Sequence, residues 1–207
     1  MEIIKRGAEA LIYVDYFEGR KVIVKERIKK TYRIPELDFQ LRRDRTRREA
    51  KLLTEARKAG VPTPQVFYVD EVNSKIYMEY IDGYKLKDIV DFISENEIID
   101  IFQAVGENIG RLHSSFIIHG DLTTSNMILK EGKVYFIDFG LGFFSKRIED
   151  MGVDLNLLRE AVKSTHFHFL NLIWENIVIG YKKSFKEWEK VLKKVDEIER
   201  RGRYVER

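Results

Sequence analysis

The sequence predicts an α+β protein with two lobes, in which a strand-rich first lobe with one helix precedes a mostly helical second lobe. Up to residue 82, short runs alternate apolar and polar residues; beyond it, apolar residues recur at spacings of three and four. At 207 residues the chain can bury a substantial core but is short for two ordinary domains. We therefore predict an N-lobe of residues 1–82 and a C-lobe of residues 83–207 that meet near Gly83 and form one domain.

The first lobe contains four predicted strands and one helix after its N-terminal segment. Residues 11–17 and 21–27 are typical of a hairpin that turns at Glu18-Gly19. A charged segment, 41–59, carries an apolar stripe and stops at Gly60, which predicts a helix. Residues 65–70 and 75–81 are predicted as two further strands.

The second lobe is predicted to be helical apart from one embedded hairpin. Residues 85–93 and 98–115 show helical apolar spacing, and the chain from the hairpin to Arg200 is predicted to be helical. The hairpin strands, 127–130 and 134–137, flank a turn at Glu131-Gly132.

Composition excludes several classes of protein. There is no cysteine, so neither a disulfide scaffold nor a zinc site built on thiolates is possible. Basic and acidic residues nearly balance, 37 against 34, so the net charge identifies no partner. The first residues lack an apolar run, and the most apolar late stretch, 170–181, is too short for a bilayer. We expect a cytoplasmic protein without a membrane segment.

The strongest chemical signal is the run 119–126, His-Gly-Asp-Leu-Thr-Thr-Ser-Asn, followed after a predicted hairpin by Asp138-Phe139-Gly140. Phosphoryl transfer requires a clamped triphosphate, neutralised charge and an oriented attacking oxygen. Asp121 would accept or orient the nucleophile's proton, and Asn126 and Asp138 offer the hard oxygen ligands that Mg²⁺ prefers. Either motif alone could be an ordinary turn or strand end; their order and the hairpin between them favour a catalytic site.

Upstream residues complete a nucleotide site. Lys25 ends an apolar strand, where its ammonium could reach the α- and β-phosphates, and Glu49 on the charged helix could hold that ammonium. Taken alone, Glu49 could equally be one of many surface glutamates. No G-x-x-x-x-G-K-[ST] motif is present, which excludes a P-loop ATPase.

Two further segments are candidates for contacts with ATP. A phosphate-covering loop is expected between the first two strand-like runs, although it has a single glycine; its residues are Gly7, Ala8, Glu9 and Ala10. The segment that joins the lobes could offer backbone groups to adenine, and its candidate residues are Met78, Glu79 and Ile81.

The histidines and the basic clusters have simpler interpretations. His119 is expected to brace the catalytic loop and His113 to be structural, while His166 and His168 make a poor metal pair. The arginines of helix 41–59 suit a solvated face. A flexible basic tail could contact RNA phosphates or an acidic partner; its residues are Arg200, Arg201, Arg203 and Arg207.

Taken together, these motifs give a sequence that resembles the small atypical kinase of the KEOPS (EKC) complex over nearly its whole length. The shared stretches are Gly7 to Ala10, residues 25–38, Arg47-Arg48-Glu49-Ala50, residues 119–126, Asp138-Phe139-Gly140-Leu141 and Arg201-Gly202-Arg203. The resemblance implies a minimal two-lobed protein-kinase-like fold. One departure is Met151-Gly152, where the family more usually has Lys-Ala; the nearby Asp154, which braces the catalytic loop, is retained.

The same resemblance implies serine/threonine kinase activity, an ATPase role, and ATP with Mg²⁺ as cofactors. It also implies a function in tRNA threonylcarbamoyladenosine modification, with the threonylcarbamoyl-transferase subunit and a small regulatory subunit as partners. Two alternatives stay open. One is a small-molecule phosphotransferase of the aminoglycoside-kinase type, and the other is a docking module without catalysis.

Overall fold

The computed structural model describes the backbone of residues 2–205 and the side chains of residues 2–201. It confirms the α+β class, with a sheet and one helix first and a mostly helical part afterwards. The strands are β1 Glu2–Arg6, β2 Ala10–Phe17, β3 Arg20–Arg27, β4 Val66–Asp70, β5 Lys75–Glu79, β6 Tyr84–Lys85, β7 Ile117–Ile118, β8 Met127–Lys130, β9 Lys133–Phe136 and β10 Phe143–Phe144. The helices are α1 Pro35–Lys58, α2 Leu86–Ile89, α3 Glu95–Ser114, α4 Ile148–Thr165, α5 Leu170–Ser184 and α6 Trp188–Val205.

The first five strands form one antiparallel sheet in the order β1-β2-β3-β5-β4. The predicted hairpin is present, and both residues of its turn have positive φ, 49° at Glu18 and 77° at Gly19. On β3, Val22 and Val24 are buried with Tyr13 in a small cluster. Because side chains alternate along a strand, Ile23, Lys25 and Arg27 lie on the other face.

Helix α1 begins six residues earlier than the predicted start at 41. Pro35 occupies the first turn, where its missing N–H costs nothing, and Glu36 and Asp38 complement the positive end of the helix dipole. Asp38 is fully buried and accepts hydrogen bonds from Arg42 Nε (2.7 Å) and the Lys30 amide (3.2 Å). The loop before α1 is therefore fastened to the first turn of the helix.

The second part departs from prediction in two places. The predicted helix 85–93 is only one turn, α2, followed by a 3₁₀ turn over Val90–Phe92. The region after the hairpin is not continuous helix, because β10 pairs with β7 and the chain breaks at His166 between α4 and a 3₁₀ turn. Strands β8 and β9 agree with the predicted hairpin to within one residue.

One continuous hydrophobic core runs from α1 through the strands into α3, α4, α5 and α6. Helices α3 and α5 approach each other closely at glycines. A Cβ placed on Gly106 would lie 2.0 Å from the carbonyl oxygen of Ile177, and one on Gly180 would lie 1.9 Å from that of Gln103. Within residues 2–205, no helix is both long enough and apolar enough to cross a membrane.

Candidate active site

Lys25 lies at the centre of the candidate site. It is 7% exposed on the face of β3 that turns toward α1, and its Nζ is 2.6 Å from Glu49 Oε1 and 2.6 Å from Asp138 Oδ1. Burial acts to lower the pKa of this ammonium, but the two carboxylates outweigh it and hold the pKa above the ordinary value. Lys25 is therefore a buried, fully charged cation at neutral pH.

Glu49 comes from the middle of α1 and is 1% exposed. Its Oε1 accepts from Lys25, and its Oε2 accepts from Arg27 Nη2 at 2.6 Å. A carboxylate buried to this degree is tolerated only when it is paired. The structure thus connects the helix to the strand through a forked ion pair.

Asp138 follows β9 and has a positive φ of 64°. Such a backbone conformation is uncommon for a residue other than glycine and clusters at functional sites. Burial alone would raise the pKa of this carboxyl, but Lys25 and the amide of Gly140 (3.3 Å from Oδ1) hold it below its ordinary value. The side chain is 34% exposed, so this carboxylate is accessible from solvent.

The catalytic-loop candidates are held against one another. Asn126 Nδ2 donates to Asp121 Oδ2 at 2.8 Å and to the Asp121 carbonyl at 3.0 Å. The amide of Ile137 donates to the carbonyl of Asn126 at 3.0 Å, so the backbone next to Asp138 is bonded to the end of the loop. The two motifs separated by the hairpin are therefore brought together at its base.

His119 braces this junction, as predicted. The ring is fully buried, its Nε2 donates to the Ile137 carbonyl (3.1 Å), and its Nδ1 accepts from the amide of Asp121 (3.3 Å). It also lies 4.4 Å, centroid to centroid, from the ring of Phe139. Burial lowers the pKa of His119, which keeps the imidazole neutral and preserves the acceptor at Nδ1.

Asp154, on α4, binds the backbone at the start of the catalytic loop. Its Oδ2 accepts from the amide of His119 (2.9 Å), and its Oδ1 accepts from the amide of Gly120 (2.8 Å). His113 Nε2 donates to the same carboxylate at 3.3 Å, and its Nδ1 lies 2.8 Å from the hydroxyl of Tyr181. The predicted bracing by Asp154 and the structural role of His113 agree with these contacts.

The side chains suit a magnesium–nucleotide complex by their donor chemistry. Asp138 offers a carboxylate and Asn126 an amide oxygen, and Mg²⁺ characteristically takes one or two protein oxygens together with substrate phosphates. No group of three or more His, Cys, Asp or Glu able to hold a metal occurs among the residues described. A site in which phosphates complete the ligand set fits this chain better than a protein cage.

The predicted phosphate-covering loop is a tight turn between β1 and β2. The amide of Gly7 donates to the carbonyl of Ala10 at 3.0 Å, and Lys30 Nζ donates to the carbonyl of Ala8. Arg45 of α1 pairs with Glu9 at 3.0 Å. These tethers fix the loop to α1 and to the segment before it.

The predicted adenine-contacting segment leads out of β5. Met78 and Ile81 are each 7% exposed, while the carboxylate of Glu79 accepts from the amide of Gln65 at 3.1 Å. The Glu79 side chain is thus turned toward the start of β4. An adenine contact through the backbone of this segment stays a prediction.

Two features of the site were not predicted from the sequence. Arg27 joins the Glu49 ion pair, and the available signal was its position two residues beyond Lys25 on the same strand face. His166 is 1% exposed; its Nδ1 donates to Asp91 Oδ1 at 2.9 Å, and its Nε2 accepts from the hydroxyl of Thr124 at 3.2 Å. This second contact fastens the catalytic loop to the end of α4, and no local pattern indicated it.

The arginines of α1 are largely solvated, as the sequence indicates, whereas the predicted flexible tail differs. Several arginines of α1 are paired within their own lobe, among them Arg45 with Glu9 and Arg47 with Glu71. The predicted flexible tail is instead helical as far as Val205. Arg201 is exposed and lies 3.8 Å from Glu149; the side chain of Arg203 and all of Arg207 lie outside the described residues.

Comparison with known proteins agrees with this architecture. Residues 8–166 match the family model described as the protein kinase domain. The structure is similar to the solved structure of WaaP in complex with acyl carrier protein, with a TM-score of 0.66 at 12% identity, covering 98% of this chain and 88% of that one. At that identity the likeness shows the kinase-like fold and nothing more.

Sequence relatives are much closer. The chain is 50% identical to the KEOPS complex subunit Bud32 of Pyrococcus abyssi, over 100% of this chain and 98% of that protein. It is 47% and 44% identical to probable bifunctional tRNA threonylcarbamoyladenosine biosynthesis proteins of Methanothermobacter thermautotrophicus and Methanocaldococcus jannaschii, spanning 99% of this chain but 37% of each of theirs. The chain therefore belongs to the protein kinase domain family and, within it, to the family of the KEOPS complex subunit Bud32.

Proposed function

We propose that this protein binds Mg·ATP between its sheet and its catalytic loop and transfers the γ-phosphoryl group to water or to a hydroxyl group. The observation that carries the proposal is the position of Lys25 between Glu49 and Asp138, at 2.6 Å from each. Three separate parts of the chain converge there, and each supplies the residue type that phosphoryl transfer uses.

Each side chain has a distinct task in this proposal. Lys25 exchanges Asp138 for oxygens of the α- and β-phosphates, and Glu49 keeps the ammonium in place during the exchange. Asp138 and Asn126 would hold Mg²⁺, which would neutralise charge on the triphosphate. The exchange replaces one carboxylate–ammonium contact with contacts of similar charge, so it occurs without leaving a buried charge unpaired.

Asp121 acts on the nucleophile. An oxygen of water or of a hydroxyl group bonds to the γ-phosphorus as the bond from phosphorus to the β,γ-bridging oxygen breaks, and ADP leaves with that electron pair. The proton of the nucleophile passes to the Asp121 carboxylate, whose Oδ2 is oriented by Asn126 at 2.8 Å. Orientation and charge neutralisation, with little covalent chemistry, are what such a transfer demands of a protein.

The segment between Asp138 and α4 bears on the choice of acceptor. It comprises only residues 139–147, of which Phe143 and Phe144 form the short strand β10. So short a segment offers little surface for docking a peptide. This favours water, a residue of this chain, or a hydroxyl on a stably bound partner over a range of free peptides, and it leaves serine/threonine specificity to be measured.

We further propose that the protein works as the kinase subunit of a cytoplasmic KEOPS assembly in tRNA threonylcarbamoyladenosine modification. The support is its family and its relatives, one named as a KEOPS complex subunit and others as threonylcarbamoyladenosine biosynthesis proteins. The proposed partners are the threonylcarbamoyl-transferase subunit and a small regulatory subunit. A tRNA contact through the basic end of α6 is part of the same proposal.

The test is ATP hydrolysis by the purified chain, alone and with the transferase subunit and tRNA. We expect hydrolysis in both cases and stimulation by the partner. Lys25→Ala and Asp121→Asn should abolish turnover while leaving the fold intact, and Lys133→Ala, an exposed lysine at the start of β9, should behave as the wild type. Full turnover in both site variants would refute the assigned roles.

The same assay separates the alternatives. Phosphorylation of small alcohols with no response to the partner would favour a small-molecule phosphotransferase. Nucleotide binding with no loss of the γ-phosphate under any condition would favour a docking module.

A further inference from the structure

The ion pair at the candidate site contains a second buried cation. Arg27 is 7% exposed, and its Nη2 donates to Glu49 Oε2 at 2.6 Å, the same distance at which Lys25 Nζ donates to Oε1. One carboxylate thus serves two cations that come from alternate positions of one strand. Arg27 Nε is buried with no hydrogen-bond partner among the residues described. The role assigned to the Lys25–Glu49 pair does not account for this arginine.

Arg27 also lies next to the phosphate-covering loop that is proposed to meet the triphosphate. It pairs in register with Ala10, the last residue of the phosphate-covering loop, and the next amide, that of Ile28, donates to the carbonyl of Glu9 at 3.1 Å. A Cβ built on Gly140 would be 3.0 Å from Asp138 Oδ1, 3.3 Å from Lys25 Nζ and 3.6 Å from Arg27 Nη2. The arginine is therefore part of the site and is not a surface residue that happens to be nearby.

Arg27 balances the charge of the cluster. Lys25 and Arg27 contribute two positive charges, and Glu49 and Asp138 contribute two negative ones, so the cluster is neutral. Without Arg27 the cluster would carry a net negative charge beside a polyanionic ligand. In a partly desolvated site such a charge would strongly repel phosphate oxygens a few ångströms away, because little water screens the interaction.

The presence of Arg27 also determines how tightly the protein holds Lys25. With Arg27 present, one oxygen of Glu49 is occupied, and Lys25 meets only the other. Without Arg27, both oxygens of Glu49 and one of Asp138 would compete for a single ammonium. Lys25 would then be held more tightly by protein carboxylates and would be less available to phosphate oxygens.

We propose that Arg27 is a positioning residue of the nucleotide site: it occupies one oxygen of Glu49 and balances its charge, so that Lys25 can exchange Asp138 for the triphosphate. The inference rests on the proposed function, since it assigns a role within Mg·ATP binding. It acts through Glu49, and Arg27 itself makes no contact with the nucleotide.

The test compares the affinities of the full chain for Mg·ATP and for adenosine, measured by calorimetric titration. In Arg27→Met we expect Mg·ATP binding to weaken about tenfold or more, and adenosine binding, which involves no phosphate, to change by less than about twofold. Arg27→Lys keeps the charge and should recover binding to within about threefold of the wild type. Arg20→Met, an exposed arginine at the other end of β3, is the matched control and should bind as the wild type.

A double-mutant cycle with Glu49→Gln identifies the route by which Arg27 acts. Once the carboxylate is neutral, no charge is left for Arg27 to balance, so adding Arg27→Met to Glu49→Gln should cost less than about threefold. An undiminished loss in the Glu49→Gln background would mean that Arg27 contacts the nucleotide directly, and the inference would be wrong. Wild-type affinity in Arg27→Met, or an equal loss for Mg·ATP and adenosine, would also overturn it.

Two outcomes keep this inference apart from the proposed function. If the wild-type chain does not bind Mg·ATP, the proposed function fails, and this inference falls with it. If the wild type binds and Arg27→Met binds equally well, only the role of Arg27 fails. Should Arg27→Met not fold, Arg27→Lys decides the matter, because a loss of more than about tenfold in that charge-preserving variant contradicts charge balance as the cause.

Discussion

Replacing Asp154 should both destabilise the protein and impair the catalytic loop. This carboxylate is fully buried and accepts from the amides of His119 at 2.9 Å and Gly120 at 2.8 Å. In Asp154→Ala both amides lose their acceptor next to the fully buried ring of His119. A Cβ placed on Gly120 would lie only 2.5 Å from the carbonyl oxygen of Leu141, so the backbone here is closely packed and has little room to find new partners.

The magnitude follows from the hydrogen bonds. Each buried N–H left without an acceptor costs about 1–3 kcal/mol, so the two together should cost about 2–6 kcal/mol. A loss of that size is a large share of the total stability of about 5–15 kcal/mol that is usual for folded proteins. In Asp154→Asn, one amide keeps an oxygen acceptor while the other faces an NH₂ group, so we expect a loss of about 1–3 kcal/mol.

Urea unfolding followed by circular dichroism measures both losses, and steady-state ATP hydrolysis reports the catalytic loop. Asp100→Ala, an exposed aspartate on α3, serves as the control and should change stability by no more than about 0.5 kcal/mol. A loss below about 1 kcal/mol in both Asp154 variants would show that the loop does not depend on this carboxylate, and the reasoning would be refuted.

Three further outcomes can be checked. Gly106→Ala should destabilise by about 3 kcal/mol in thermal unfolding, because the new Cβ would lie 2.0 Å from the carbonyl oxygen of Ile177; unchanged stability would mean that α3 and α5 can separate freely. The pKa of His119 is lowered in the folded state, so below pH 6.5, the ordinary pKa of histidine, the unfolded chain binds more protons than the folded chain. The free energy of unfolding should therefore fall as the pH drops below 6.5, and it should fall less in His119→Gln. His166→Ala should lose about 1–3 kcal/mol and also slow ATP turnover through Thr124; stability loss at full turnover would limit His166 to a structural role.

Local information in the chain was enough for much of the fold and for the catalytic motifs. The β2–β3 hairpin and the β8–β9 hairpin were predicted because period-two patterns and turn residues act over a few positions. The start of α1 was missed although Pro35 and two acidic residues after it are standard N-terminal signals. Strands β7 and β10 were missed because two-residue strands carry no periodicity.

Part of the candidate site could likewise be predicted from the sequence, and part could not. Lys25, Asp121, Asn126 and Asp138 stand out in the sequence because phosphoryl transfer needs those residue types in that order. The pairing of Arg27 with Glu49 could not be predicted, because the two residues are 22 positions apart and no local periodicity relates them.

What the sequence determined by itself was therefore the order of elements, the residue types of a phosphotransfer site, and a resemblance to one family. Only the tertiary structure decided that Glu49 is shared between Lys25 and Arg27, and that His166 holds Thr124 from the end of α4. The physical reason is that buried polar groups must be paired, and their partners are chosen by the packing of distant segments. Periodicity records which face of an element is buried, whereas the partner of a buried charge is known only when the faces meet.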